Sequence, residues 1–272
     1  MQKTLAAAIQ MVSSNNRDDN LQQAGELIRR AADDGAGLVV LPENFGYMGR
    51  SEADKLAVAE DPGRGAMQDF LADTAAAHHL WIVGGTIPLR HETGGQRAYA
   101  ACLVYNDSGA CVSRFDKIHL FDVAVPESGE QYKESASTIP GTRPEVVDTP
   151  FGRLGLSVCY DLRFPELYRQ LVSMGAEILT VPSAFTDATG RAHWRTLVQA
   201  RAIENLCYVV APNQGGRHAS GRETHGHSMI VNPWGQVLGE LTYGPGVASG
   251  EIDLGYLQRN REHFPCLSHR RL

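Results

Sequence analysis

Short segments that are apolar on nearly every residue, rather than on alternate ones, set what this chain can fold into. Residues 38–41 (Leu38-Val39-Val40-Leu41, ended by Pro42) and 178–181 are of this kind. Such a run is buried on both faces, as strands are in the interior of an α/β protein. Around them the pattern predicts further strands over 4–11, 81–87, 99–105, 112–115, 207–211, 227–231 and 247–252. Residues 146–147 and 154–158 flank the turn Pro150-Phe151-Gly152-Arg153 and read as a hairpin. Helical spacing appears over 20–32, with Leu21, Ala24, Leu27, Ile28 and Ala31 on one face, and over 66–78. Residues 165–174 form a third helix with Pro165 in its first turn, and 193–204 a fourth with Trp194, Leu197, Val198 and Ala202 together. Helices and strands alternate at both ends, but the middle is strand-rich. Two stacked sheets with helices outside fit this α/β pattern better than one doubly wound sheet, although periodicity leaves a barrel open. The long stretch 122–144 is irregular, as functional or mobile loops are. No repeat, low-complexity tract or linker interrupts 1–272, so one domain is expected.

Bulk properties exclude several function classes. The 272 residues carry a formal net charge of −6, with Lys and Arg dispersed. Phosphate binding needs a concentrated basic surface, so no nucleic-acid partner is expected, and His269-Arg270-Arg271 reads as a solvated tail. A hydrophobic share of 43% can supply a core, yet no run approaches the roughly 20 apolar residues of a membrane span. The start Met1-Gln2-Lys3 followed by apolar 4–9 faintly resembles a signal peptide, but Gln10 ends the run early, and a buried first strand is the better reading. The five cysteines, Cys102, Cys111, Cys159, Cys207 and Cys266, are odd in number and form no C-x-x-C. That argues against a disulfide framework and for a reducing, cytoplasmic setting.

Three predicted strands end in reactive side chains: Glu43 after 38–41, Lys117 after 112–115, and Cys159 after 154–158. Ligands gather beyond the carboxyl ends of strands in α/β sheets, so the three could converge. Taken singly, each has a plainer reading. A cysteine after an apolar strand is ordinarily a core thiol, the class expected for Cys102, Cys111 and Cys207, and lone Glu or Lys residues are ordinarily solvated. Cys159 differs in being followed at once by Tyr160-Asp161-Leu162-Arg163 and a helix. That places the thiol on a tight turn, where exposure and the positive helix end would favour the thiolate.

The text around these residues carries a resemblance. Leu-Pro-Glu-Asn at 41–44, Lys-Ile-His-Leu-Phe-Asp at 117–122 and Cys-Tyr-Asp-Leu-Arg-Phe-Pro-Glu at 159–166 resemble the three signature blocks of the nitrilase superfamily, in the family order. The resemblance runs nearly the whole chain, through Gly226 to Gly235. It implies a four-layer αββα sandwich, a homodimer paired through its sheets, no cofactor and no metal. It also implies a mechanism in which Cys159 attacks an amide carbonyl, Glu43 moves the proton, and Lys117 stabilises the oxyanion together with the backbone N–H of Tyr160. Glu134 resembles the family's second glutamate, beside the lysine; otherwise it is a loop carboxylate.

Within the superfamily, the second half most resembles amidases acting on deaminated glutathione, through Pro182 to Thr186, Gly190 to Trp194, Ala200 to Glu204 and Cys207 to Val210. The implied products are 2-oxoglutarate and cysteinylglycine, released through a Cys-thioester in a metabolite-repair reaction. Omega-amidases acting on α-ketoglutaramate are the near alternative, and a catalytically silent binding protein of the same fold is another. A 2-oxo acid needs a cationic anchor: Arg163, one turn past Cys159, could hold its carboxylate, or could instead cap Asp161 or Glu166. Thr186 or Thr189 could add a hydroxyl, and Phe185 could be pocket wall or core. Arg217 and Arg222, flanking a glycine-rich loop, could reach the glycine carboxylate of a longer substrate. His225 and His227 sit two apart, so on a strand both imidazoles would share a face, but no third ligand is near and a metal hydrolase is not favoured. A papain-like Cys–His pair lacks a suitable His.

Overall fold

The computed structural model describes residues 3–125 and 129–271, so the start of the apparent signal-like segment (Met1, Gln2) and Pro126 of the long loop lie outside it. The strands in chain order are β1 (Lys3–Gln10), β2 (Ala36–Val40), β3 (Trp81–Val83), β4 (Ile87–Arg90), β5 (Ala98–Tyr105), β6 (Cys111–Asp116), β7 (Asp122–Ala124), β8 (Gln131–Lys133), β9 (Thr138–Ile139), β10 (Val146–Thr149), β11 (Gly152–Leu156), β12 (Ile178–Thr180), β13 (Tyr208–Ala211), β14 (Ser228–Val231), β15 (Val237–Leu241) and β16 (Gly246–Asp253). The helices are α1 (Arg17–Asp33), α2 (Ala66–His78), α3 (Pro165–Ser173), α4 (Asp187–Asn205) and α5 (Leu254–His263).

One sheet runs β16-β1-β2-β3-β5-β4, with β6 and β9 also pairing β5; the other runs β10-β11-β12-β13-β14-β15. Period-two alternation along β1 shows how they layer. Ala6 and Ala8 pack with Leu154, Leu156, Ile178 and Val209 of the second sheet. Ala7 and Ile9 pack with Ala24 and Ile28 of α1 and Met67 and Leu71 of α2. On the far side, Tyr168 and Leu171 of α3 and Trp194 and Val198 of α4 cover the second sheet. The order is therefore helices, sheet, sheet, helices: a four-layer αββα sandwich and not a barrel. The wholly apolar segments fall where both faces are covered, with Leu38 and Val40 turned toward the second sheet and Val39 and Leu41 toward α1 and α2.

Several boundaries differ from the sequence expectation. The single strand over 81–87 is two, β3 and β4, because Gly85 adopts a positive φ of 54° and breaks the run. The helix at 193–204 begins earlier, at Asp187, where the Thr186 hydroxyl accepts the Thr189 N–H as an N-cap. Gly190 inside its second turn obscures that start in the sequence. The stretch 122–144 contains the β7–β8 hairpin, a 3-10 turn at Glu134–Ala136 and β9. The 3-10 segment Glu52–Val58, β15 and α5 had no clear periodic signal. Cys111 is exposed rather than core, whereas Cys102 and Cys207 are buried.

Gly85 links fold to site. A Cβ there would lie 2.1 Å from the Pro42 carbonyl oxygen, and the next residue, Thr86, accepts the Asn44 N–H at 2.8 Å through its hydroxyl. The β3–β4 connection thus grips the backbone on both sides of Glu43. Gly85→Ala is expected to lower the unfolding free energy by at least about 1 kcal/mol, since alanine fits neither the φ nor the space. Urea denaturation measures this, and an unchanged midpoint would show that the grip yields without cost.

Candidate active site

The carboxyl end of β2, the end of β6 and the turn after β11 meet at one cavity. Pro42 stops β2, and Glu43 follows in a segment whose carbonyl accepts the Gln214 side-chain amide at 3.0 Å. Lys117 follows β6 directly, its N–H bonded to Ala100 O at 3.0 Å and its carbonyl accepting the Gly141 N–H at 2.8 Å. Cys159 opens a 3-10 turn, Cys159–Arg163, with a positive φ of 49°. That is a strained setting for a residue with a Cβ, and such strain clusters at functional sites. The Cys159 N–H donates to Pro182 O at 2.9 Å, pinning the turn to the residue that follows β12 and Val181. The Tyr160 N–H stands at the head of the 3-10 turn, where no preceding turn offers it an acceptor.

Lys117 is the centre of the arrangement. Its Nζ lies 2.8 Å from Glu43 Oε1 and 3.0 and 2.8 Å from the two Glu134 oxygens. All three side chains are buried, Lys117 to 1% exposure. Glu134 is itself fixed by the Phe121 N–H at 2.7 Å. Burial opposes the lysine charge, but Glu134 and Glu43 outweigh it and hold the ammonium well above ordinary lysine. Burial likewise opposes the Glu43 charge, but the Lys117 ammonium more than compensates and holds Glu43 below the ordinary carboxylate value.

Cys159 overturns one expectation. It is 7% exposed, not open to solvent, and burial followed by the Glu43 charge pushes its thiol well above the ordinary value. Lys117 and the Ala184 N–H pull the other way without reversing the shift. The resting sulfur is therefore held toward the thiol rather than the thiolate.

The cavity is lined by Glu43, Lys117, Glu134, Cys159, Tyr160, Arg163, Phe185, Thr186, Thr189 and Arg222, all read from the sequence as candidates, and additionally by Asn44, Lys55, Phe121 and Ala184. Arg163 does not cap Asp161 or Glu166. Its guanidinium lies 3.2 Å from His193 Nδ1 and over the Phe185 and Tyr160 rings, and among the described residues no carboxylate pairs with it. Asp161 is instead fully buried and bound by Val158 N, His119 N and His119 Nδ1 at 2.9, 2.9 and 2.7 Å. His119 in turn stacks on Phe164 at 3.7 Å. This clasp joins the lysine loop to the cysteine turn. Both members lie inside the matching blocks, but only their contact across 42 residues discloses the role. Phe185 serves as both wall and core, packing on Trp194 at 4.8 Å. Lys55 comes from the 3-10 segment that had no sequence signal.

Two further readings are corrected. Arg217 is exposed and lines no part of the cavity, while Arg222 does. His225 and His227 precede β14 rather than alternate along it. They stack ring on ring at 4.5 Å, His227 is held by Glu240 at 2.7 Å, and neither lines the cavity.

The carbon-nitrogen hydrolase pattern matches residues 5–262. A Synechocystis protein named deaminated glutathione amidase is 46% identical over 99% of both chains. The human protein of the same name is 44% identical over 98% of this chain and 82% of its own. The crystal structure of the C. elegans NitFhit protein superposes with a TM-score of 0.91 at 38% identity, covering 99% of this chain and 65% of that one. By sequence and by fold, this chain belongs to the carbon-nitrogen hydrolase family.

Proposed function

We propose that this chain is an amidase that hydrolyses the amide bond of deaminated glutathione, releasing 2-oxoglutarate and cysteinylglycine. The observation that carries the reading is the buried ammonium of Lys117, held between Glu43 and Glu134 in the slot that contains Cys159. The names of the similar Synechocystis and human proteins favour this amide over other members of the family.

The chemistry follows from the charge states. A buried thiol is a poor nucleophile, so it needs a base at the moment of attack. Glu43, kept ionised by Lys117, takes the thiol proton as the sulfur adds to the amide carbonyl. The developing oxyanion meets the Lys117 ammonium and the Tyr160 N–H, two donors that need no reorganisation. Glu43 then returns the proton to the leaving nitrogen, the C–N bond breaks, and a thioester remains. A water, deprotonated by the same carboxylate, hydrolyses it. Glu134 holds Lys117 in place and does not itself move a proton. Arg163 anchors the 2-oxo acid carboxylate, with Thr186 and Thr189 at the same wall. The Arg163 guanidinium is free of any described carboxylate, as an anion-binding fork must be.

The chain acts as a homodimer in a reducing, cytoplasmic setting. The five free cysteines support the setting. Exposed Trp234, packed edge-on against exposed Phe264 at 5.7 Å, with exposed Ile203 beside the same turn, supports burial of this surface in a dimer. Among the described residues no helix is long and apolar enough to cross a membrane.

Three outcomes are expected. Cys159→Ala loses roughly 10⁴-fold in kcat, and in Glu43→Asp a 2-oxoglutaryl adduct accumulates on Cys159, detected by intact mass and peptide mapping; an adduct on Cys207 refutes the assignment. Alkylation of Cys159 by iodoacetamide keeps rising from pH 6 to 10, because its pKa is raised. On the acid side, Glu43 is depressed, so the stability its pairing supplies is complete above the ordinary carboxylate value and is lost only as the pH falls through the lower folded value. A labelling plateau near neutrality contradicts this picture. Finally, kcat/KM for deaminated glutathione exceeds that for α-ketoglutaramate at least tenfold, and the reverse order moves the assignment to the smaller amide.

A further inference from the structure

The slot holding Cys159 opens into a second, wider cavity. The inner slot is narrow, about 30 Å³, and the outer cavity about 410 Å³. They share three residues, Asn44, Lys55 and Arg222. Arg163, Phe185 and Thr189 line only the inner slot, and Arg50 and Lys133 only the outer cavity. The outer walls come from three separated segments: 44–55, the β8 arm at 130–133, and 220–222.

The charge of this outer cavity runs against that of the molecule. Its described lining carries Arg50, Lys55, Lys133 and Arg222 against the single carboxylate of Glu130, a formal excess of three positive charges on a chain whose net charge is −6. Such a local field, in a concave site beside a reaction centre, draws and orients an anion. Arg222 is the hinge between the two spaces. One edge of its guanidinium donates to Ala184 O at 2.6 Å, and its plane lies over the Tyr132 ring at 5.0 Å. Its Nε has no acceptor among the described residues. Ala184 is the residue whose N–H faces the Cys159 sulfur, so Arg222 is anchored one residue away from the nucleophile.

We propose that the outer cavity is the subsite for the terminal carboxylate of the leaving group. This deepens, and rests on, the reading of the chain as an amidase of deaminated glutathione. The substrate is anionic at both ends. Its 2-oxo acid belongs with Arg163 in the inner slot, and its leaving group is a dipeptide. Two extended residues span at most about 7 Å, which carries the glycine carboxylate past the narrow slot to the Arg222 and Lys55 boundary and the cations beyond. The leaving group of a simple amide such as α-ketoglutaramate is ammonia, which leaves this cavity unused. The cationic vestibule thus accounts for selection of a long, doubly anionic amide by a site whose chemistry would serve a short one.

The test is calorimetric and uses the full chain with Cys159→Ala, so that no turnover occurs. Binding of deaminated glutathione is compared with that of its glycinamide counterpart, which lacks only the terminal charge. The acid is expected to bind about tenfold tighter, as one charge-assisted contact provides. Adding Arg222→Gln brings the two ligands to within about twofold. Adding Lys133→Gln, at a residue that itself lines only the outer cavity, narrows the gap about threefold and guards against a folding defect in the arginine variant. Equal binding of acid and amide, or a gap that both variants leave unchanged, overturns the proposal. Free cysteinylglycine and its amide are titrated alongside. If neither form of deaminated glutathione binds but cysteinylglycine is still preferred over its amide, the substrate is refuted and the subsite stands. Absence of discrimination in both series overturns the subsite.

Discussion

A buried ammonium shared by two buried carboxylates is the constraint on which this site depends. Taking such ions out of water costs several kcal/mol each, and the cost is recovered only when every partner is in place. Lys117 cannot stay charged at 1% exposure without Glu43 and Glu134 at hydrogen-bond distance. Each partner is fixed by a different part of the fold: Glu43 through the grip of Gly85 and Thr86 on its flanking backbone, Glu134 through the Phe121 N–H. The three side chains therefore occupy one arrangement or none. The same enclosure that makes the lysine depend on its partners also keeps Cys159 protonated. In the proposed mechanism burial thus decides the order of events, because a thiol that does not ionise alone gives up its proton as it attacks.

Holding the nucleophile against this charge cluster is a separate task. The lysine loop comes from the first sheet and the cysteine turn from the second, and two packed sheets can slide. Asp161 prevents this locally, since one buried carboxylate accepts Val158 N from its own turn and both His119 nitrogen donors from the loop. His119 is further pressed flat on Phe164. A carboxylate with no exposed surface that spends its lone pairs on three donors is a rigid joint, placed between Lys117 and Cys159.

The sequence disclosed the layers because burial on both faces leaves an unmistakable trace: wholly apolar segments such as 38–41 can sit only between covered faces. It disclosed Glu43, Lys117 and Cys159 through the blocks around them, not through their own chemistry, which for Cys159 suggested an exposed thiolate where the fold holds a buried thiol. What stayed hidden has a common cause. The early start of α4, the division of 81–87 and the Asp161–His119 joint depend on a cap, a positive φ and a contact between residues 42 apart, and none of these has a period. Lys55 and the outer cavity were hidden for the same reason, since a surface built from three separated segments has no pattern along the chain.

The two ends of the cavity differ in a way that bears on how one family scaffold distinguishes amides. In the proposed mechanism Glu43, Lys117 and Cys159 act on any carbonyl carbon bearing a nitrogen, so they contribute little selectivity. Discrimination must come from groups that touch substrate away from the reacting atoms, and binding energy there assists the chemistry only if it fixes the amide against the sulfur. On the proposed reading Arg163 at the inner end and Arg222 at the outer end do this together, each held by stacking or a backbone carbonyl and, among the described residues, by no carboxylate. In the proposed arrangement a doubly anionic substrate is held at both ends, with its scissile bond at the narrow point between. On the same proposal a short amide has one anchor and can pivot, so the expected difference in rate reflects geometry imposed from a distance rather than any change at Glu43, Lys117 or Cys159.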